Sequence, residues 1–148
     1  MLVFFLVAIY LVTGFSREYV FTNVNEQMRV NYYHSSDSHV SPGMLWLSDF
    51  SSAKLYYAKW IMTLLFMILF AFLAATIIRI AFEEKKMVRY CWIIYGAVFI
   101  TGFIFYYIGS LSGNPETTYE IARFLAGLTE TPALLIIISA AFLAIRRM

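Results

Sequence analysis

The chain has 148 residues, of which 61% are hydrophobic, 19% aromatic and only 14% charged, whereas soluble domains carry about a quarter charged residues. So few polar side chains cannot cover a soluble core of this size, which points to an integral membrane protein with its apolar surface in lipid. A net charge of +2, with Lys and Arg gathered at segment ends instead of striping one face, excludes nucleic acid as the expected partner. The one cysteine, Cys91, rules out an internal disulfide and a CxxC or Cys/His zinc framework.

In chain order, Met1 to Phe15 is apolar but short, close to the length of a signal-peptide core. No Lys or Arg precedes it and no A-x-A-like site follows, so the reading is a retained first helix over about 1–19, with Arg17 and Glu18 reaching the headgroups. Residues 20–54 then form a small extracytoplasmic cap. Asn23 and Glu26 have capping-box spacing, which predicts a short separate helix through Met28, Val30 and Tyr33 lying on the membrane. Ser41 before Pro42 is a second helix-start signal. The Met44, Leu45, Trp46, Leu47 and Phe50 that follow supply apolar surface to hold that segment at the interface or against the bundle.

The next span, within helix 56–82, has an uncharged stretch from Trp60 to Ile78 between Lys59 and Arg79, with Tyr56, Tyr57 and Trp60 as an aromatic belt. The third, within 90–111, begins with Tyr90 and Trp92 and ends near Tyr106 and Tyr107. The fourth, within 119–146, is stopped by Arg146 and Arg147 and contains Glu130 and Pro132. The fold class is therefore an all-α membrane protein of four transmembrane helices in a single domain over 1–148. If the loop Glu83 to Arg89 is cytoplasmic, Arg79, Lys85, Lys86, Arg89, Arg146 and Arg147 lie inside against Glu83 and Glu84. Acids outnumber cations on the opposite flanks, so both termini are expected in the cytoplasm.

Few residues offer chemistry. His34, Asp37 and His39 lie close together, and imidazole with carboxylate can bind zinc or move protons. Their spacing matches no established site, so solvated loop residues are the competing reading and metal ligation the weaker one. Glu130 falls roughly 20 to 25 Å from the cytoplasmic end of the last helix, within the outer hydrocarbon layer, where it must face protein. Arg123, two turns earlier, or Lys59, at a comparable depth, is expected to neutralise it. Glu130 then reads either as a proton or substrate contact or as an interhelical tie. Pro132 predicts a kink beside it, freeing carbonyls for Thr129 or Thr131. Ala71 with Ala75, and Ala140 with Ala144, have the small-residue spacing of close helix packing. No span holds a histidine, so a bis-histidine haem is excluded and no cofactor is expected.

A first helix ending in Arg17-Glu-Tyr-Val-Phe21, a juxtamembrane cap, a helix opened by Tyr57-Ala58-Lys59-Trp60, and a last one with Arg123-Phe124-Leu125 and Pro132 together resemble the small accessory membrane proteins of exosortase or archaeosortase systems in Bacteroidota. The resemblance covers most of the chain as architecture and short strings. It implies a noncatalytic partner of a polytopic sorting enzyme in the bacterial inner membrane. That enzyme family uses an outward-facing Cys, Arg and His triad, which this chain cannot supply, because Cys91 is expected at the cytoplasmic end of its helix and both histidines on the other side. A small transporter or channel subunit using Glu130 is the alternative, and a membrane enzyme using the His34 to His39 loop a third.

Overall fold

A computed structural model describes residues 1–34, 37–112 and 115–146. Five α-helices, α1 (Leu2–Tyr33), α2 (Ser52–Phe82), α3 (Lys85–Ser112), α4 (Pro115–Thr129) and α5 (Pro132–Arg146), and a 3₁₀ helix (Pro42–Asp49) carry the fold, with no strand among the described residues. Helices α1, α2 and α3 are each long and apolar enough to cross a membrane. The α4 and α5 pair makes a fourth span if counted as one. The expected all-helical, multi-pass architecture is therefore present.

Several boundaries differ from the sequence reading. Helix α1 does not stop near residue 19 but runs unbroken for 32 residues, about 48 Å. No Gly or Pro follows Gly14 within it. Short polar side chains along it bond back to the helix: Ser16 Oγ donates to Val12 O at 2.9 Å and Asn23 Nδ2 to Tyr19 O at 2.7 Å. This i to i−4 back-bonding satisfies the short polar groups without ending the helix. Asn23 is thus no N-cap, and the separate helix expected over the following residues is the continuation of α1. The helix ends where His34 adopts a left-handed φ of 50°, a conformation in which His is tolerated better than most residues.

The Ser41-Pro42 signal does start a helix, of 3₁₀ type, with Ser41 extended at its N-cap. Helix α2 opens at Ser52, with Leu55 N–H bonded to Ser51 O. It closes at Glu83, whose φ of 60° and N–H bond to Arg79 O form a left-handed cap. Only Glu83 and Glu84 separate α2 from α3.

The chain clusters into two compact units, Val12–Phe66 and a second made of Met1–Leu11 with Met67–Met148, the division falling within the continuous helices α1 and α2. In the latter, α2 buries Phe70, Ala71, Ala74, Ala75, Ile78 and Phe82, a face repeating at i, i+4. Helix α5 answers with Leu134, Leu135, Ile138 and Phe142, and the Phe82 and Phe142 rings meet edge to face at 5.8 Å. Ala71 and Ala75 are buried as their spacing suggested, whereas Ala140 and Ala144 are exposed. Helices α3 and α4 approach closely at two glycines. A Cβ at Gly102 would lie 3.4 Å from Leu125 Cβ, and one at Gly109 would collide with the Thr118 side chain. In lipid such packing and interhelical hydrogen bonds hold helices together, because apolar surface gains little by leaving hydrocarbon.

In the unit Val12–Phe66, Val24, Val40, Met44, Leu47 and Leu55 form a core flanked by Val20, Met28 and Met62. Beside it, Phe21 packs on Phe66 and the Arg17 guanidinium lies 4.7 Å above the Phe21 ring. Asn23 and Gln27 are buried.

Candidate functional site: a polar break between α4 and α5

The expected kink at Pro132 is a full break. Helix α4 ends at Thr129, α5 begins at Pro132, and their axes bend by 65°. Three carbonyls, of Ala126, Gly127 and Leu128, lose the N–H donors that a continuous helix would send from residues 130, 131 and 132. Each is satisfied otherwise. Thr129 Oγ1 donates to Ala126 O at 2.7 Å, the Glu130 N–H to Gly127 O at 3.1 Å, and Thr131 Oγ1 to Leu128 O at 3.2 Å. Both threonines thus do what the sequence reading assigned to one or the other. Side chains re-satisfying freed backbone groups are what allow a span to break inside lipid.

A fourth acceptor at the break is served from another helix. Tyr10 Oη of α1 donates its one proton to Thr131 O at 3.1 Å and therefore accepts from Tyr95 Oη of α3, also at 3.1 Å. The Tyr10 ring is packed edge on to Phe70 of α2 at 4.8 Å. The break is therefore braced by three helices, and Tyr10, Phe70, Tyr95 and Thr129 are all buried. Glu130 occupies the turn between α4 and α5 and is 2% exposed. A buried carboxyl at a break in a span can exchange a proton, hold a cation or tie helices.

The other residues singled out by sequence are distributed differently. Arg123 is exposed on α4. Since α4 stops at Thr129, Arg123 and Glu130 do not share one uninterrupted helical face. Lys59, in the unit Val12–Phe66, donates to Asn25 Oδ1 at 2.8 Å. His34, Asp37 and His39 are exposed, with His39 Nε2 3.6 Å from Asp37 Oδ2. Among the described residues no three His, Cys, Asp or Glu side chains are grouped to hold a metal ion. Cys91 is 0% exposed.

Tyr10 and Tyr95 were not foreseen, since tyrosine in a span reads first as an interfacial residue. For Tyr10 the signal was position, within the apolar run Met1 to Phe15, where a hydroxyl must find a partner; Tyr95, one turn after Trp92, reads as part of the interfacial aromatics. Asn31, which donates to Phe50 O and accepts from Gln27, carried no such signal. No protein-family model, curated protein or solved structure matches this chain.

Proposed function

We propose that the chain is a noncatalytic accessory subunit of a membrane protein-sorting or surface-export system, acting beside a polytopic exosortase-like enzyme in the bacterial inner membrane. Both termini are cytoplasmic in this reading, and the segment 20–54 is extracytoplasmic. The partner class rests on the sequence resemblance. The observation that carries the noncatalytic part is the burial of Cys91, 0% exposed, because a thiol nucleophile must be reachable by substrate. Affinity purification of the tagged chain from native membranes in mild detergent is expected to retain a polytopic protein with an outward Cys, Arg and His set. Recovery of a self-assembled oligomer alone would overturn the reading. Alkaline phosphatase fused after Asp49 should be active, and fused after Lys86 inactive, if the orientation is right.

A second reading, a small transporter or channel subunit, is favoured by the buried Glu130 at the broken α4 and α5 pair, since discontinuous helices often place binding groups within the membrane. Glu130→Gln keeps the shape and removes the charge. Proteoliposomes in which this variant loses an ion or proton flux that the native chain supports would favour transport over partnering.

A further inference from the structure

Three helix ends bring their cations to one place. Helix α2 ends at Phe82, one turn after Arg79, and α3 begins with Lys85 and Lys86, followed one turn on by Arg89. Only Glu83 and Glu84 lie between the two helices. Helix α5 arrives at the same end, because its Phe142 meets Phe82 edge to face at 5.8 Å, and it closes at Arg146, one turn further. All of these residues belong to the unit Met1–Leu11 with Met67–Met148. The turn thus gathers Arg79, Lys85, Lys86, Arg89 and Arg146 around Glu83 and Glu84.

The two acids leave this charge uncompensated. Arg79, Glu83, Glu84, Lys85, Lys86 and Arg89 are all exposed, and among the described residues none of their side chains forms a hydrogen bond or an ion pair. Helix polarity accounts for part of the set. Arg79 and Arg146 stand in the last turns of α2 and α5, where the negative helix end favours a cation. Lys85 and Lys86 stand in the first turn of α3, which holds no acid and whose partial positive charge opposes them. The surroundings of the turn follow from the spans. Helices α2 and α3 are each long and apolar enough to cross a membrane, and Arg79 to Arg89 lies between the uncharged runs 60–78 and 90–115. So short a connection stays at the bilayer surface in either orientation, and its placement owes nothing to α1.

We propose that the turn Arg79 to Arg89, with the end of α5 beside it, is a binding surface for acidic phospholipid headgroups, Lys85 and Lys86 donating to the phosphate oxygens. A lipid phosphate is the anion that a turn held at the bilayer surface meets, and hydrogen bonds between two charged groups are the strong ones. A headgroup of net negative charge is selected over a zwitterionic one, whose choline would add a cation to a patch already in excess. Lysine suits a fluid partner, because its ammonium is a point charge on a flexible stem. The surface goes beyond both functional readings above and depends on neither.

The test uses the full chain with Trp46→Phe and Trp60→Phe, which leaves Trp92, exposed on α3 one turn after Arg89, as its one indole. In vesicles, phosphatidylglycerol or phosphatidylcholine brominated in the acyl chains quenches Trp92 on contact. Competition against the plain lipids then gives the relative affinity of the two headgroups at the turn. Phosphatidylglycerol is expected to be preferred about fivefold. Lys85→Gln with Lys86→Gln, or salt at about 1 M, should bring the ratio close to one. Lys85→Arg with Lys86→Arg should keep it. Lys54→Gln with Arg123→Gln removes the same charge from exposed positions elsewhere and should leave it unchanged. Equal affinity for both lipids in the native turn would overturn the proposal, as would a preference that survives the double Gln variant. A fall in the Lys54 and Arg123 variant as large as in the lysine pair would assign the attraction to the net charge of the chain, against the turn. Loss in the double Arg variant would show that charge is not the cause, which refutes the surface equally.

Discussion

The two compact units use polar side chains for different ends. In Val12–Phe66 they pin irregular backbone. Asn23 links the turn of α1 at Tyr19 to the Ser41 N–H, and Glu26 takes the Arg29 guanidinium at 2.7 and 2.9 Å and the His39 N–H at 3.0 Å. Arg29 in turn donates to Asp37 O. The segment after α1 is thus held against that helix by side chains, with a small apolar core to fill the space between. In Met1–Leu11 with Met67–Met148 buried polar groups gather instead at the break between α4 and α5. Water can compete for the first kind of bond at an exposed loop, whereas hydrocarbon offers no substitute for the second. A polar group is a fastener in one unit and a repair in the other.

Substitutions can break this contrast, beginning with the largest effect. Leu47→Ala empties the centre of the small core and should cost about 2 to 5 kcal/mol of local stability. Limited proteolysis is expected to cut the variant within 34–51 at protease concentrations that spare the native chain, while helices α3 to α5 stay protected. Asn23→Ala strands the Ser41 N–H and should cost about 1 to 3 kcal/mol, read as faster hydrogen exchange over 38–44. Equal exchange in variant and native chain would show that the loop is held by its apolar contacts alone. Tyr10→Phe removes both hydroxyl bonds at the helix break and should cost about 0.6 to 1.7 kcal/mol, the range for hydrogen bonds between membrane helices. Reversible unfolding in mixed micelles would show it, and Tyr95→Phe in the same background should add less than it costs alone because the pair shares a bond.

The smallest effect concerns pH. Glu26 lies well past the apolar run that ends at Phe15, and the Arg29 hydrogen bonds, with the His39 N–H, hold its carboxyl at about 2, below its ordinary 4.5. A depressed folded pKa means that the contribution is fully present above about 4.5 and is lost as pH falls toward 2. The loop around His39 should accordingly loosen in acid before the helices melt, a change followed by the His39 and Val40 amide resonances. Glu26→Gln should remove that acid-dependent step.

Legibility in the sequence followed the type of signal. Long apolar runs ended by charges gave the α2 and α3 spans, Ser41-Pro42 gave a helix start, and Pro132 with its threonines gave the site of the break. Local polar spacing misled at Asn23 and Glu26, because a capping box and a side chain reaching to a distant loop use the same residues. The two are distinguished only by whether the preceding helix stops, and here nothing stops it. Expecting Arg123 and Glu130 on one face assumed an unbroken helix, which the 65° bend removes.

By itself, the sequence determined that this chain is helical and belongs in a membrane, since apolar length and charge placement are one-dimensional properties that the thickness of a bilayer reads directly. Tertiary structure alone decided which polar groups meet. Tyr10 and Thr131 are 121 residues apart, as are Asn31 and Phe50 by 19, and no periodicity along the chain encodes such pairings. It also decided which face of the 3₁₀ helix turns inward, because Met44 and Leu47 are buried only through the company of Val24 and Leu55. Burial is a property of neighbours, and neighbours distant in sequence are fixed by packing.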